Sequence, residues 1–199
     1  LRELYAVSAK LATVVYSLKA ADEKTIHAQA RELLDRTFYL PYFSWKLLKA
    51  FVHLLFAGQP QGRNALWQLV VGNFRSPEFL LKNLAFVLKA VGFARLAEEQ
   101  GVTHIHAYWA TYPASVALLI ADITAVPFSF TGHAHDIYLN TSNLDTKIAR
   151  AAFVATCTRQ NQEYLQRLLP SSRNKVVLNY HGLDLESFFV AEKPMHATL

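Results

Sequence analysis

The sequence predicts an α/β fold in which a parallel sheet carries helices on both faces. The main observation is a regular alternation after Gly101, where short runs rich in β-branched and aromatic residues alternate with runs of helical periodicity. Because short connections join these runs, they predict βαβ units, and repeated βαβ units build a parallel sheet. The predicted strands cover residues 104–107, 127–131, 153–157 and 175–179.

Three helices are predicted between these strands. The first begins near Pro113 and runs to residue 123, and the second covers residues 144–151. Thr158 is a suitable N-cap for the third, which runs to residue 169, because its hydroxyl can accept a hydrogen bond from the first helical turn. This order of elements supports the predicted fold class.

The first hundred residues contain one predicted strand, at 13–18, and otherwise helices. Asp22 is a suitable N-cap for a helix that runs to about residue 36, and a helix over 45–57 fits between Ser44 and Gly58. The sequence therefore predicts a helical insertion in the middle of the α/β fold. The remaining predicted helices cover residues 1–11, 63–71 and 77–101.

The composition is that of one well-packed domain, because 52% of residues are hydrophobic and 18% are charged. Cys157 is the single cysteine, which excludes an intrachain disulfide. The most apolar stretch, 79–97, is interrupted by Lys82, Lys89 and Arg95, so no membrane span is predicted. The formal charge of +5 fits either an anionic partner or an ordinary basic surface.

Polar side chains follow the predicted strands where each strand ends. Ligands of parallel α/β sheets bind in the crevice at the carboxyl ends of the strands. We therefore expect several ionisable side chains to converge on one crevice, namely those of His106, His133, His135, Asp136, Arg159 and His181.

Three kinds of chemistry at this crevice find little support. His104, His106 and the run 133–136 resemble the paired histidines of metal sites, but the chain has no HxxxH or HExxH spacing. Cys157 ends a predicted buried strand, which favours a packed thiol over a nucleophile. The chain also has no GxGxxG or GxxxxGK[ST] loop for a nucleotide phosphate. We therefore predict no metal site.

Four segments resemble one enzyme family. Residues 128–138 (FSFTGHAHDIY) resemble the FTxHxHD segment of bacterial family 4 glycosyltransferases that build exopolysaccharides, and residues 104–110 (HIHAYWA) resemble their HxHxHWA segment. Residues 156–165 are similar to a strand–helix step of these enzymes, and residues 179–188 to their NGxDxxxF element. Because the four segments occur in order and at matching spacing, the chain resembles the N-terminal, acceptor-side domain of this family.

The resemblance implies one Rossmann-like half of a GT-B fold. Residues 1–190 would form the acceptor-side domain, and residues 191–199 would begin the interdomain linker. The family's first strand would be missing from the chain, as would its C-terminal donor-binding domain. The resemblance therefore implies that the isolated chain is inactive.

The resemblance also implies roles for individual residues. His133 matches the position beside the donor sugar, and we take it as the catalytic candidate. These enzymes retain the anomeric configuration, and the departing phosphate is thought to take the acceptor proton, so the protein orients the substrates and stabilises charge. Substrate binding is expected from His106, Tyr108, Trp109, Thr131, His135, Asp136, Arg159, Asn179 and Gly182.

Some of these assignments have open alternatives. His133 is either a sugar-binding residue or a loop histidine held by the backbone. His135 and Asp136 either contact substrate or order their own loop. Tyr108 stands where many members of the family have histidine, which leaves its acceptor contact open.

The function implied is transfer of a sugar from a nucleotide-sugar donor to a lipid-linked or polysaccharide acceptor, in cell-surface polysaccharide synthesis. No cofactor and no nucleic-acid partner are expected. The expected location is cytoplasmic, with peripheral contact at the inner face of the membrane. The alternative is a non-catalytic module derived from such an enzyme, which binds a membrane surface or a carbohydrate.

The helix predicted over 45–57 has two interpretations. Its aromatic residues, leucines and lysines are typical of a helix that lies in a membrane interface. The alternative is a core helix with two solvated lysines.

Overall fold

The computed structural model describes residues 11–20, 31, 33–41, 44–57, 60, 63–64, 67 and 77–182. These residues form an α/β structure in which parallel sheets are flanked by helices. The prediction of an α/β fold with a parallel sheet is therefore confirmed. Most of the predicted helices over 1–11, 22–36 and 63–71 lies outside the described residues, as does the boundary at residue 190. The described end of the second of these helices, Leu34–Arg36, is a 3₁₀ turn.

All six described strands pair in parallel. The first two, β1 (Val15–Ser17) and β2 (Thr37–Tyr39), form a two-stranded sheet with Val15 opposite Thr37. The other four form a second sheet in which spatial order follows chain order. They are β3 (Ile105–Ala107), β4 (Phe128–Gly132), β5 (Val154–Thr156) and β6 (Val176–Leu178).

In the part of the chain that the structure describes, six bounded α-helices connect or flank these strands, and 3₁₀ turns occupy Leu34–Arg36 and Pro170–Lys175. Thr158 is the N-cap of the last helix, where its Oγ1 accepts a hydrogen bond from the Asn161 N–H, as predicted. Among the described residues, no helix is long and apolar enough to cross a membrane. The helices are α1 (Trp45–Ala57), α2 (Pro77–Glu99), α3 (Tyr112–Thr124), α4 (Ala134–Tyr138), α5 (Leu144–Arg150) and α6 (Arg159–Leu168).

The main core lies between the four-stranded sheet and its helices. Helix α3 packs on β3 and β4, α6 packs on β5 and β6, and α2 packs on the outside of α3. Side chains alternate between the faces of a strand. One face of the sheet is accordingly buried, as at Phe130 and Val154. The other face is partly exposed: His106 and Val177 are exposed there, whereas Ser129 is buried.

The structure differs from the sequence prediction in three places. Its strands form two sheets, because β1 and β3 are not hydrogen-bonded to each other. The smaller sheet is held to α2 by side chains: the Tyr16 ring stacks on Phe93 at 5.0 Å, and Lys89 Nζ donates to the Leu18 carbonyl. Strand β2 and the five-residue helix α4 were not predicted, since neither run has a local periodicity of apolar residues.

Candidate functional site

Four rings meet at the carboxyl edge of the four-stranded sheet. His133 follows β4 directly, and its ring centroid lies 4.5 Å from that of Trp109 and 5.4 Å from that of Tyr108, both of which follow β3. His181 follows β6, and its ring stacks on His133 at 5.7 Å. We call Tyr108, Trp109, His133 and His181 the ring cluster. It lies where the crevice of a parallel α/β sheet is expected.

The aromatic members of the ring cluster are open to solvent. Tyr108 is 41% exposed and Trp109 is 44% exposed, although large apolar rings are usually more buried. The Nδ1 atom of His133 is shielded from solvent and accepts no well-aligned hydrogen bond from the described residues. The ring cluster therefore offers two exposed ring surfaces beside a half-buried imidazole whose Nδ1 atom is turned away from solvent.

Burial lowers the pKa of His133 below its ordinary value of 6.5. The nearby Asp136 carboxylate opposes this shift, and His181 adds to it. The shift therefore favours the neutral form of the His133 ring. A neutral imidazole can donate one hydrogen bond and accept another, which suits contacts with hydroxyl groups.

Two buried charged side chains fix the backbone beneath the ring cluster. The N–H of Ala110 donates to Asp136 Oδ2 at 2.5 Å, and the N–H of His133 donates to Oδ1 at 2.7 Å. Lys147 Nζ donates to the carbonyl oxygens of Ala110, Thr111 and Ser142 at 2.8, 3.1 and 2.9 Å. The residues that follow β3 and β4 are therefore held in one arrangement from both sides.

Lys147 was not identified as a site residue from the sequence, although its position in the helix pattern indicates that it is buried. It lies between the buried residues Leu144 and Ile148 on α5, so it occupies a core position of an amphipathic helix. Burial lowers its pKa from 10.5 to about 7, against the influence of Asp136. A lysine at a core position of a helix indicates a buried polar partner, which here is a set of backbone carbonyls.

A second polar group lies on the exposed face of the sheet. Ser129 Oγ is 2.7 Å from both His104 Nε2 and His106 Nδ1, and His106 Nε2 is 2.9 Å from Thr131 Oγ1. Both histidine rings also stack against Phe153 at 5.9 Å. His106 and Thr131 therefore have partners on the sheet itself, apart from the rings of the ring cluster.

The remaining predicted site residues lie around this edge. Asp136 is buried, and both of its oxygens accept backbone hydrogen bonds, so it orders its own loop. His135 is exposed on α4, and its Nδ1 is 3.4 Å from Asn140 Nδ2. Arg159 begins α6 and is exposed. Asn179 and Gly182 are exposed after β6, on the same segment as His181.

The described residues contain a cavity away from the ring cluster, a single cysteine and no group of metal ligands. A cavity of about 380 Å³ lies against the last turns of α6, lined by Glu163, Arg167 and Arg173, near the edge where β6 begins. Cys157 is half-buried and is not in a disulfide. Within the described ranges, no group of three or more His, Cys, Asp or Glu side chains could hold a metal ion.

Comparison of the chain with protein-family models, with curated protein sequences and with solved structures found no match. The geometry of the ring cluster is therefore the basis for the functional proposal.

Proposed function

We propose that this chain forms the acceptor side of a retaining glycosyltransferase, which transfers a sugar from a nucleotide-sugar donor to a lipid-linked or polysaccharide acceptor. The observation that carries the proposal is the ring cluster. Its residues come from three segments that each resemble a segment of family 4 glycosyltransferases, and their rings lie within 4.5 to 5.7 Å of His133.

The ring cluster has the chemistry that a sugar requires. Exposed aromatic rings provide apolar surfaces for the C–H faces of a pyranose, and a neutral imidazole provides hydrogen bonds for its hydroxyls. Tyr108 and Trp109 would bear the apolar contact, and His133 would bear the polar one. In this proposal the protein orients the sugar and stabilises developing charge, while the departing phosphate accepts the acceptor's proton.

Rigid support of these residues is consistent with such a role. Catalysis by orientation requires that the contacting groups do not move during the reaction. The hydrogen bonds of Asp136 and Lys147 to Ala110, and of Asp136 to the N–H of His133, hold the two loops that carry the rings. Asp136 therefore acts as a positioning residue in the proposed enzyme.

The proposal is tested by a transfer assay with the product of the complete reading frame. The protein is incubated with a panel of radiolabelled uridine-, guanosine- and thymidine-diphosphate sugars and a bacterial lipid extract, and labelled lipid is separated from free sugar. We expect labelled product with one of these donors, with its anomeric configuration retained. A product of inverted configuration would contradict the retaining mechanism.

The alternative is a module that binds carbohydrate without catalysis, and the exposure of Tyr108 and Trp109 is also consistent with it. Glycan-array binding separates the two functions. Binding to glycans that is lost in Trp109→Ala, together with no transfer from any donor, would establish the binding module and overturn the transferase.

A further inference from the structure

Helix α1 presents a stripe of apolar and cationic side chains to solvent. Trp45, Lys49, Val52 and Phe56 are spaced four, three and four residues apart, so they lie along one face of the helix. Trp45 is 65% exposed, Val52 is 46% exposed and Phe56 is 82% exposed, and Lys49 is exposed as well. We call these four residues the α1 stripe.

The opposite face of α1 is already used for packing. Leu47 is buried, and its Cδ2 would lie 2.5 Å from a Cβ at Gly92, so the missing side chain at Gly92 lets α1 approach α2 closely. Ala50 and Phe51 are partly buried against the core. The outward direction of the α1 stripe therefore follows from packing, and the interpretation of α1 as a core helix with solvated lysines does not account for its exposed Trp, Val and Phe.

The excess positive charge of the chain lies in the stretch of sequence that contains this helix. Residues 36–77 contain five Lys or Arg and no Asp or Glu. The whole chain has 20 basic and 15 acidic side chains, so the remainder has 15 of each and carries no formal net charge. The entire excess of +5 therefore lies in the segment that contains the α1 stripe.

The same segment is rich in the side chains that favour a membrane interface. It contains nine of the chain's 25 Phe, Tyr and Trp residues and two of its three tryptophans, and the second of these, Trp67, is 68% exposed. Trp partitions to the headgroup level of a bilayer, Phe and Val insert slightly deeper, and lysines approach anionic headgroups. A helix of 13 residues, about 20 Å long, can lie flat in that interface.

We infer that the α1 stripe docks this protein on an anionic lipid surface. The charge distribution favours a lipid surface over a second copy of the chain. A symmetric contact between two copies would bring together two basic segments that contain no Asp or Glu, and these would repel each other. The three apolar side chains that accompany Lys49 in the α1 stripe favour a lipid surface over a phosphate backbone alone. The inference does not depend on the proposed transfer reaction, since it concerns a surface formed by a different part of the chain.

Vesicle flotation tests the inference directly. The protein is mixed at low salt with phosphatidylcholine vesicles that contain or lack phosphatidylglycerol, and the floating fraction is measured. We expect flotation only with the anionic vesicles, weakened by high salt. Failure to float with anionic vesicles at low salt would overturn the inference.

Variants locate the contact on α1. Trp45→Ser combined with Phe56→Ser should lower the vesicle-binding constant by about tenfold or more, because two exposed aromatic side chains no longer insert. Lys49→Glu should lower it mainly at low salt. Two matched controls lie away from α1. Leu139→Ser removes an apolar side chain that is 74% exposed, and Arg167→Glu reverses the charge of an exposed arginine on α6. Equal loss of binding in the controls would overturn the assignment to α1.

Two further measurements separate the alternatives. Quenching of tryptophan fluorescence by brominated lipid uses the unmodified protein, and it should report insertion even if a variant folds poorly. Sedimentation equilibrium without vesicles measures self-association of the unmodified protein and of the Trp45/Phe56 variant. We expect no self-association that depends on these two residues. Self-association of that kind would identify a second copy as the occupant and overturn the lipid proposal.

Discussion

Asp136 and Lys147 bind the two backbone polar groups of the same residue, Ala110. Asp136 accepts the N–H hydrogen bond and Lys147 donates to the carbonyl oxygen, and both side chains are buried. A buried charge is tolerated only where hydrogen bonds and an opposite charge compensate its lost hydration. At the scale of single residues, the ring cluster therefore depends on a polar network that itself does not contact the crevice.

Removal of Asp136 should be strongly destabilising. Asp136→Ala leaves two backbone N–H groups without an acceptor and leaves Lys147 without its nearby anion, so we expect the free energy of unfolding to fall by about 3–5 kcal/mol. Urea unfolding measures this change. Asp145→Ala is the control, because Asp145 is exposed in the first turn of α5 and should contribute less than about 1 kcal/mol. Similar losses in both variants would contradict the role given to Asp136.

The histidines of the sheet face should make stability depend on pH. Although part of its surface is exposed, desolvation of the His106 ring against the sheet lowers its pKa below 6.5, and the charge of His104 lowers it further. The unfolded chain therefore binds a proton more readily than the folded one, so stability is lost as pH falls through about 6.5.

Urea unfolding at about pH 7.5 and about pH 5.5 measures this loss, on either side of the ordinary histidine pKa. We expect the loss to be smaller in His106→Gln, which stays neutral throughout this range. An unchanged loss in the variant would show that other groups cause the pH dependence.

Among the elements, most helices and strands could be predicted from the sequence, including three-residue strands such as β3 and β5, whereas β2 and α4 could not. Helix α1 begins and ends at the predicted residues, because Ser44 and Gly58 bound a clear apolar run. Strand β2 has only three residues and exists because β1, about twenty residues earlier, pairs with it. Helix α4 is polar, and its first turn is held by the bond from the His133 N–H to Asp136. Neither has a local periodicity to detect.

The contact between α1 and α2 predicts a specific coupling. Gly92→Ala should lower the free energy of unfolding by about 1–3 kcal/mol, because the added Cβ would meet Leu47 Cδ2 at 2.5 Å and Leu40 Cδ1 at 2.6 Å. Leu47→Val withdraws one of these contacts. Urea unfolding of the two single variants and the double variant gives the coupling energy, and we expect the double variant to lose less than the sum of the singles. Strict additivity would contradict the close packing of α1 on α2.

For the whole molecule, the sequence could predict which residues lie at the sheet edge, but it could not predict which of them contact one another. His106 and His133 were both expected in one crevice, since both belong to strands that end there. The structure gives His106 hydrogen bonds to Ser129 and Thr131 on the sheet face, and it brings His181 from 48 positions later in the chain onto the ring of His133. Such groupings depend on side-chain direction and register, which local patterns do not specify.

The proposed role of the ring cluster in sugar transfer is tested most directly by a comparison of two histidine variants. His133→Ala removes the imidazole at the centre of the cluster, and His104→Ala removes an exposed imidazole from the other end of the sheet. Both are measured in the product of the complete reading frame, by initial rate of transfer and by thermal unfolding. We predict that His133→Ala lowers the rate at least about tenfold with a melting temperature within about 3 °C of the unmodified protein, and that His104→Ala retains its rate. Unchanged turnover in His133→Ala would contradict the proposed role.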